Sequence, residues 1–299
     1  MRFAAIIPAL ALTLALTAAA TPEAMAAPQP TASAALPAKV DNFRLVTATG
    51  RSQDLYRYKS NSAVVLIMHG LGSPEIRRIA PAVEALRTSF ASKGVQVMMM
   101  NSSGRETREA ILAEAKKFGL SLPIMMDDDQ LAGDQMGANR VGEVFVLDPK
   151  SWKVVYRGPM SDSVTATVDA LVAGKPVTVT DLASSGSLIR FDDRSPAALA
   201  SFQKISYSKQ IVPILEEKCV ACHQQGGIAP FAMDGYRKVK AFAPMIREAV
   251  RTDRMPPWDV DPKVGKFLHD KSLSPDQIKT LVRWVEAGAQ RGDGPDRLE

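Results

Sequence analysis

Two short runs, residues 63–68 (Ala-Val-Val-Leu-Ile-Met) and 95–100 (Val-Gln-Val-Met-Met-Met), are apolar at nearly every position instead of at alternate ones. A strand reads this way when both faces of its sheet are covered, so each is predicted to be a buried parallel strand. Between them Ile79, Val83, Leu86 and Phe90 recur at spacings of three and four, which gives a helix over 75–91 one buried face. Residues 105–118 repeat the pattern with Ile111, Leu112 and Ala115, and Gly119 supplies a stop. Residues 143–148 and 153–157 read as a hairpin turned at Pro149, Lys150, Ser151 and Trp152, and 164–173 as a helix ended by Gly174. Beyond residue 203 only helical spacing is found: 207–218, 244–254 and 274–289. The last has Ser274 as N-cap, Pro275 at its first position, and Ile278, Leu281, Val282, Trp284 and Val285 on its apolar face.

The chain has 299 residues, enough for two cores. Arg2, an apolar run to Leu16 and Ala24-Met25-Ala26 give a secretory signal peptide over 1–26, cleaved near Ala26, and hence a periplasmic location. The competing reading is an uncleaved anchor over 3–20, against which stand Pro8 and the small-x-small site. A Pro/Ala/Ser linker follows over 27–38, then domains at 39–176 and 203–292, a connection at 177–202 and a tail at 293–299. A net charge of +5 is spread among acidic residues without dense Lys/Arg clusters, so no nucleic-acid partner is expected. Membrane contact is expected only if the leader remains.

The N-terminal order β-α-β-α-β-β-α is that of the thioredoxin-like α/β fold. Asp41-Asn42-Phe43-Arg44-Leu45, Met68-His69-Gly70-Leu71-Gly72-Ser73-Pro74 and the run from Arg140 to Asp148 resemble a redoxin of the peroxiredoxin-related kind over residues 40–175. The resemblance places that family's reactive cysteine at Ser73, its cis-proline at Val141-Gly142 and a later Gly-Cys at Gly186-Ser187. A hydroxyl has neither the acidity of a thiol nor its capacity for disulfide exchange, so the domain is expected to be redox-inactive. His69 is expected to be hydrogen-bonded or at the surface, since a His69–Ser73 nucleophile pair has no visible third member. Met98, Met99 and Met100 read as core filler, and Asp127, Asp128 and Asp129 as a solvated turn lacking an EF-hand pattern.

Both cysteines lie in Cys219-Val220-Ala221-Cys222-His223. C-x-x-C-H is the attachment pattern of a c-type haem: each thiol adds to a porphyrin vinyl group and the imidazole becomes the proximal iron ligand. A thioredoxin-type C-x-x-C needs a strand-to-helix turn, whereas an amphipathic helix precedes this one. A zinc site needs a fourth ligand beyond the cysteines, His223 and His269. One covalent haem is expected. Met233, Met245, Met255 and His269 are the choices for the second axial ligand. Met255, in Arg254-Met255-Pro256-Pro257-Trp258, is preferred because the prolines stiffen the strand that presents its thioether, and His269 is its main rival.

With Gly227-Ile228-Ala229-Pro230-Phe231 and the run from Trp284 to Ala289, these residues resemble an all-α class I cytochrome c domain of the type appended to periplasmic oxidoreductase-like proteins. The resemblance implies that Trp284 packs where the first and last helices cross. It implies single-electron transfer to or from a redox partner protein more than catalysis. The open alternatives are a haem-linked thiol or peroxide oxidoreductase and a haem-based sensor or binding module. Arg247, Arg251 and Arg254 recur at spacings of four and three and are expected to form one basic stripe suited to an acidic partner, with Glu248 and Asp253 nearby.

Overall fold

The computed structural model describes Met1 and residues 35–258, 260–261 and 263–299. The expected leader, its cleavage site and most of the expected linker lie outside the described residues. No described helix is long and apolar enough to cross a membrane.

In chain order the N-terminal portion comprises β1 (Arg44–Thr47), β2 (Ser52–Asp54), β3 (Ala63–His69), α1 (Pro74–Phe90), β4 (Val95–Asn101), α2 (Arg108–Phe118) and β5 (Ile124–Met126). It continues with α3 (Leu131–Gln135), β6 (Glu143–Asp148), β7 (Lys153–Pro159), α4 (Asp162–Val172) and β8 (Thr180–Asp181). The strands form one sheet in the order β2-β1-β5-β4-β3-β6-β7-β8. β3, β4 and β5 run parallel, while β6 is antiparallel to β3 and pairs with β7 as the expected hairpin. Both faces of β3 are covered, as its unbroken apolar run requires. Val65 and Ile67 meet α1, α2 and α4, whereas Val64, Leu66 and Met68 meet Phe43, Leu55 and Trp152 on the other face. The three methionines of β4 divide between these two cores, with Met99 in the first and Met98 and Met100 in the second. The sheet is completed by β1, β2, β5 and β8, which are too short to show a period in the sequence.

Helix boundaries follow capping chemistry. α2 begins three residues later than its apolar spacing suggests, because Thr107 accepts a hydrogen bond from the Ala110 amide and fixes the first turn there. On the same helix Ile111 and Ala115 are buried, but Leu112 faces outward.

The C-terminal portion is helical: α5 (Pro196–Phe202), α6 (Val212–Lys218), α7 (Tyr236–Ala241), α8 (Ala243–Arg251) and α9 (Pro275–Glu286). A wider turn, Tyr207–Ile211, leads into α6. α9 opens with a full capping box, Ser274 and Gln277 exchanging side-chain and backbone hydrogen bonds. Trp284 on α9 is fully buried beside Tyr207, with ring centroids 6.0 Å apart, and its indole donates to the Gln290 carbonyl.

The described residues from 35 onward form one packed unit. Leu131 of α3 inserts into the helical core, alongside Ile246, Val250 and Leu281. Around this contact runs an ionic seam. Arg283 of α9 donates to Asp134 (2.6 Å), to Asp193 (3.1 Å) and to Glu286 (2.9 Å). Arg194 binds the second oxygen of Asp134 (2.6 Å), and Arg247 bridges Asp41 (2.9 Å) and Glu286 (2.8 Å). Burial alone would raise the Asp134 carboxyl, but Arg194 and Arg283 hold it below the usual carboxylate range. Removing Arg283 would leave Asp134, Asp193 and Glu286 each with a remaining cation, Arg194, Lys279 and Arg247, so Arg283→Ala is expected to destabilise the protein by about 2 kcal/mol, less than breaking a fully buried pair would cost. Urea unfolding checks this. In an Asp134→Asn background the same substitution should cost clearly less, because the two side chains share one interaction.

Candidate functional site

The cysteine motif sits at the C-terminal end of α6. The Cys219 and Val220 amides both donate to the Leu215 carbonyl (2.8 Å each), and those of Cys222 (3.1 Å) and His223 (3.0 Å) donate to that of Cys219, so the motif winds into one tight turn. The following chain packs closely: a Cβ at Gly227 would lie 2.3 Å from the Cys222 carbonyl oxygen, which only glycine tolerates. Both thiols are free and half-buried. Burial and the neighbouring Cys222 push the Cys219 thiol up to about 11. A disulfide-exchanging C-x-x-C sits instead at a helix N-terminus, where the dipole lowers the thiol.

His223 is buried, and its Nδ1 lies 3.0 Å from the Phe231 carbonyl oxygen. A carbonyl only accepts, so Nδ1 carries a proton, and in the neutral imidazole the lone pair then lies on Nε2. The Phe231 ring lies 4.6 Å from the imidazole and stacks on Phe242 at 3.9 Å. The sequence named His223 but not the carbonyl that fixes its tautomer, since a backbone acceptor carries no residue-type signal.

Met255 follows α8, its amide directed at the Ala249 carbonyl (3.3 Å). It is 38% exposed and lines a cavity of about 940 Å³ between the two portions, whose wall does not include Cys219, Cys222 or His223. The other ligand choices are placed differently: Met233 is in the helical core, Met245 is exposed on α8, and His269 is exposed at a left-handed residue. Among the described residues no group of three or more His, Cys, Asp or Glu is placed to hold a metal ion.

At the redoxin-like mouth, Ser73 caps α1 by accepting from the Glu75 amide (3.2 Å). The parallel register of β3 and β4 sets His69 beside Asn101. Asn101 accepts from the Ser103 amide through Oδ1, so its Nδ2 donates to His69 Nδ1 (3.0 Å). The proton therefore stays on Nε2, 3.5 Å from Glu114, and burial lowers the imidazole to about 4. The Leu71 amide donates to Glu106 (3.0 Å) and the Gly72 amide to Glu114 (2.7 Å), so carboxylates from α2 and the segment before it occupy the loop's donors. Val141 packs on Gly70, and its amide donates to the Ser187 carbonyl (2.9 Å). A Cβ at Gly186 would fall 1.8 Å from the Val141 carbonyl oxygen and 3.5 Å from Glu75. Val141, Gly186 and the turn from Gly70 into α1 thus converge here.

Two expectations need correction. The arginine stripe of α8 is not a free surface. Arg247 is engaged in the seam, and the Arg251 side chain is 2% exposed, 4.0 Å from Glu286. Arg254 alone is open to solvent, paired with Glu248. α8 turns this face inward because Asp41 of the N-terminal portion and Glu286 of α9 meet it there. Nor are the three aspartates a solvated turn. Asp127 is fully buried and accepts from the Ser102 hydroxyl (2.6 Å) and the Ala132 (3.1 Å) and Gly133 (2.8 Å) amides.

Residues 31–173 match the model of the Redoxin family, so this stretch carries a redoxin, thioredoxin-like domain. A hypothetical protein from Sinorhizobium meliloti 1021 is similar at 25% identity, covering 52% of this chain and 94% of its own, with a TM-score of 0.48. An uncharacterized conserved protein from Geobacillus kaustophilus is similar at 23% identity over 54% and 93%, with a TM-score of 0.49. A peroxidoxin from Mycobacterium tuberculosis is similar at 19% identity over 46% and 96%, with a TM-score of 0.39. No curated protein matches the chain. The C-terminal region is helical, and these comparisons assign it no fold.

Burial, reinforced by the charge of Asp129, raises the Asp127 carboxyl to about 7. The unfolded group titrates near about 4, so over this range the folded protein retains a proton that the unfolded chain has released. Stability is therefore expected to fall as pH rises from about 4 to about 7 and then level off. Asp127→Asn should flatten this slope even where its lost hydrogen bonds lower stability at every pH. Urea unfolding at a series of pH values checks the slope independently of the offset.

Proposed function

We propose that this chain is an exported, periplasmic single-electron carrier that binds one haem covalently through Cys219 and Cys222, with His223 and Met255 as axial ligands. On this reading the helical portion is a class I cytochrome c domain, and the redoxin portion is a scaffold or docking module for a redox partner protein.

The observation that carries the proposal is the hydrogen bond from His223 Nδ1 to the Phe231 carbonyl, which leaves Nε2 as a free, oriented donor beside two unpaired thiols. The donor set therefore fits the group. A raised Cys219 thiol argues against spontaneous disulfide chemistry and suits cysteines held for attachment. Bound there, a haem supplies a one-electron couple, which a thioether opposite an imidazole shifts to higher reduction potential. The protein's own contributions are orientation of the imidazole, burial by Phe231 and Phe242, and presentation of the Met255 thioether at a cavity wall.

The redoxin portion contributes no thiol. Its loop amides are filled by Glu106 and Glu114, and the Ser73 hydroxyl is spent on capping α1.

Purified protein is expected to hold covalent haem through denaturation and to show the weak near-infrared thioether-to-iron band when oxidised. Met255→Ala should abolish that band while covalent attachment persists. An unchanged low-spin spectrum in the variant would transfer the ligand role to another residue, and an open sixth position in the wild type would favour the sensor or peroxidase reading. Peroxide or disulfide turnover should be absent from haem-free protein, and turnover that depends on Ser73 would defeat the scaffold assignment.

A further inference from the structure

Between β8 and Phe191 the chain crosses the redoxin mouth as an extended strap, residues 183–190, tied down at both ends. The Leu182 amide donates to the Arg157 carbonyl (2.8 Å), and Phe191 is buried in the second core. The middle of the strap lies antiparallel to residues 139–141, with Leu188 opposite Arg140. The Val141 amide donates to the Ser187 carbonyl (2.9 Å), the Ile189 amide to that of Asn139 (2.8 Å), and the Arg140 guanidinium to that of Gly186 (2.8 Å). Gln130 donates to the Arg190 carbonyl (2.7 Å). Ser185, Ser187, Leu188 and Arg190 are exposed, so the strap is held mainly by its backbone. It also forms one wall of a cleft of about 180 Å³ that His69, Gly70 and Val141 line on the other side. The closed arrangement leaves buried polar atoms without partners: Ser184 Oγ on the strap, and His69 Nε2 and Glu114 Oε1 beneath it. Lifting the strap admits water to Ser184 and to the cleft that His69 lines, which offsets part of the loss of its hydrogen bonds.

We infer that the strap is a displaceable stand-in for an extended segment of the redox partner protein, which docks by pairing with the backbone of residues 139–141 when the strap lifts. The inference rests on the docking role proposed above and gives that role a place and a chemistry. Main-chain pairing requires the incoming segment to be extended, and the side-chain sites along it decide which segments fit. At the Gly186 register a Cβ would fall 1.8 Å from the Val141 carbonyl oxygen, so the segment needs glycine there. Three residues further on it needs an apolar side chain, because Ile189 packs there against both cores of the redoxin portion.

The test uses the full-length protein, hydrogen exchange and a synthetic peptide with the sequence of residues 184–191. In the wild type the Val141 and Ile189 amides should exchange by local opening, at least about tenfold faster than the amides of β3. Gly186→Ala cannot seat against the Val141 carbonyl, so it should speed both amides by about tenfold more while β3 keeps its rates. His69 should then titrate closer to the ordinary imidazole range, because its cleft is open to water. The peptide should bind Gly186→Ala about tenfold tighter than the wild type, whose own strap competes, and the peptide with alanine in place of its glycine should lose that binding. Arg140→Ala removes one tie of the strap, should shift exchange and peptide binding in the same direction, and serves if Gly186→Ala fails to fold. Val141 and Ile189 amides that exchange only together with β3, in the wild type and in the variants, would overturn the inference by making the strap a fixed part of the core. Equal binding of the two peptides would overturn the glycine register. Dimerisation of Gly186→Ala in place of peptide binding would make a second copy of this chain the occupant and overturn the partner assignment. Absence of covalent haem would leave all these readouts in place and overturn the haem reading instead.

Discussion

Arg283 holds three carboxylates from three parts of the chain: Asp134 after β5, Asp193 in the connection and Glu286 on its own helix. Each of these groups is at least partly withdrawn from water; Asp134 and Asp193 gain their bonds to Arg283 only when the two portions are docked, whereas Glu286 pairs with it along one helix. Charge removed from solvent is costly when unpaired and roughly neutral when well paired. The seam thus contributes less to net stability than to the choice of one arrangement, because every displaced alternative leaves charges stranded. Leu131 supplies the apolar gain at the centre, and the ions around it specify the register.

That arrangement changes the meaning of the redoxin portion. In a thiol enzyme the turn before α1 must keep its amides free and its capping residue reactive. Here Glu106 and Glu114 fill the amides, and the cap is a hydroxyl already committed to the helix. His69 is bonded to Asn101, and burial lowers its imidazole to about 4. The framework of the fold persists without a cysteine at this turn.

At the cysteine motif the environment points the same way. The α6 C-terminus offers its thiols carbonyl oxygens instead of amide protons, so nothing there favours a thiolate. What the turn does provide is a fixed order of two sulfurs and one imidazole. The lone pair of that imidazole is oriented by a backbone carbonyl eight residues further on. On the proposed reading, the same tight winding that makes the pair poor at disulfide exchange makes it suitable for attachment.

Much of this was legible in the sequence. The unbroken apolar runs of β3 and β4 required a sheet covered on both faces. The spacing on α1 and α9 marked their buried faces, and Ser274 marked the start of α9. These are local signals, because helix and strand periods and capping preferences act between residues a few positions apart. Other features were settled only by tertiary structure. The arginines of α8 read as an exposed basic stripe for an acidic partner, yet Arg247 and Arg251 face inward because Asp41 and Glu286, distant in the chain, meet them there. Asp127 read as a surface turn, yet its carboxylate is buried because Ser102 and the start of α3 supply the donors it would otherwise take from water. A charged side chain's spacing fixes the direction it takes from its own helix. Whether that direction meets water or a counter-charge depends on elements the local pattern does not contain.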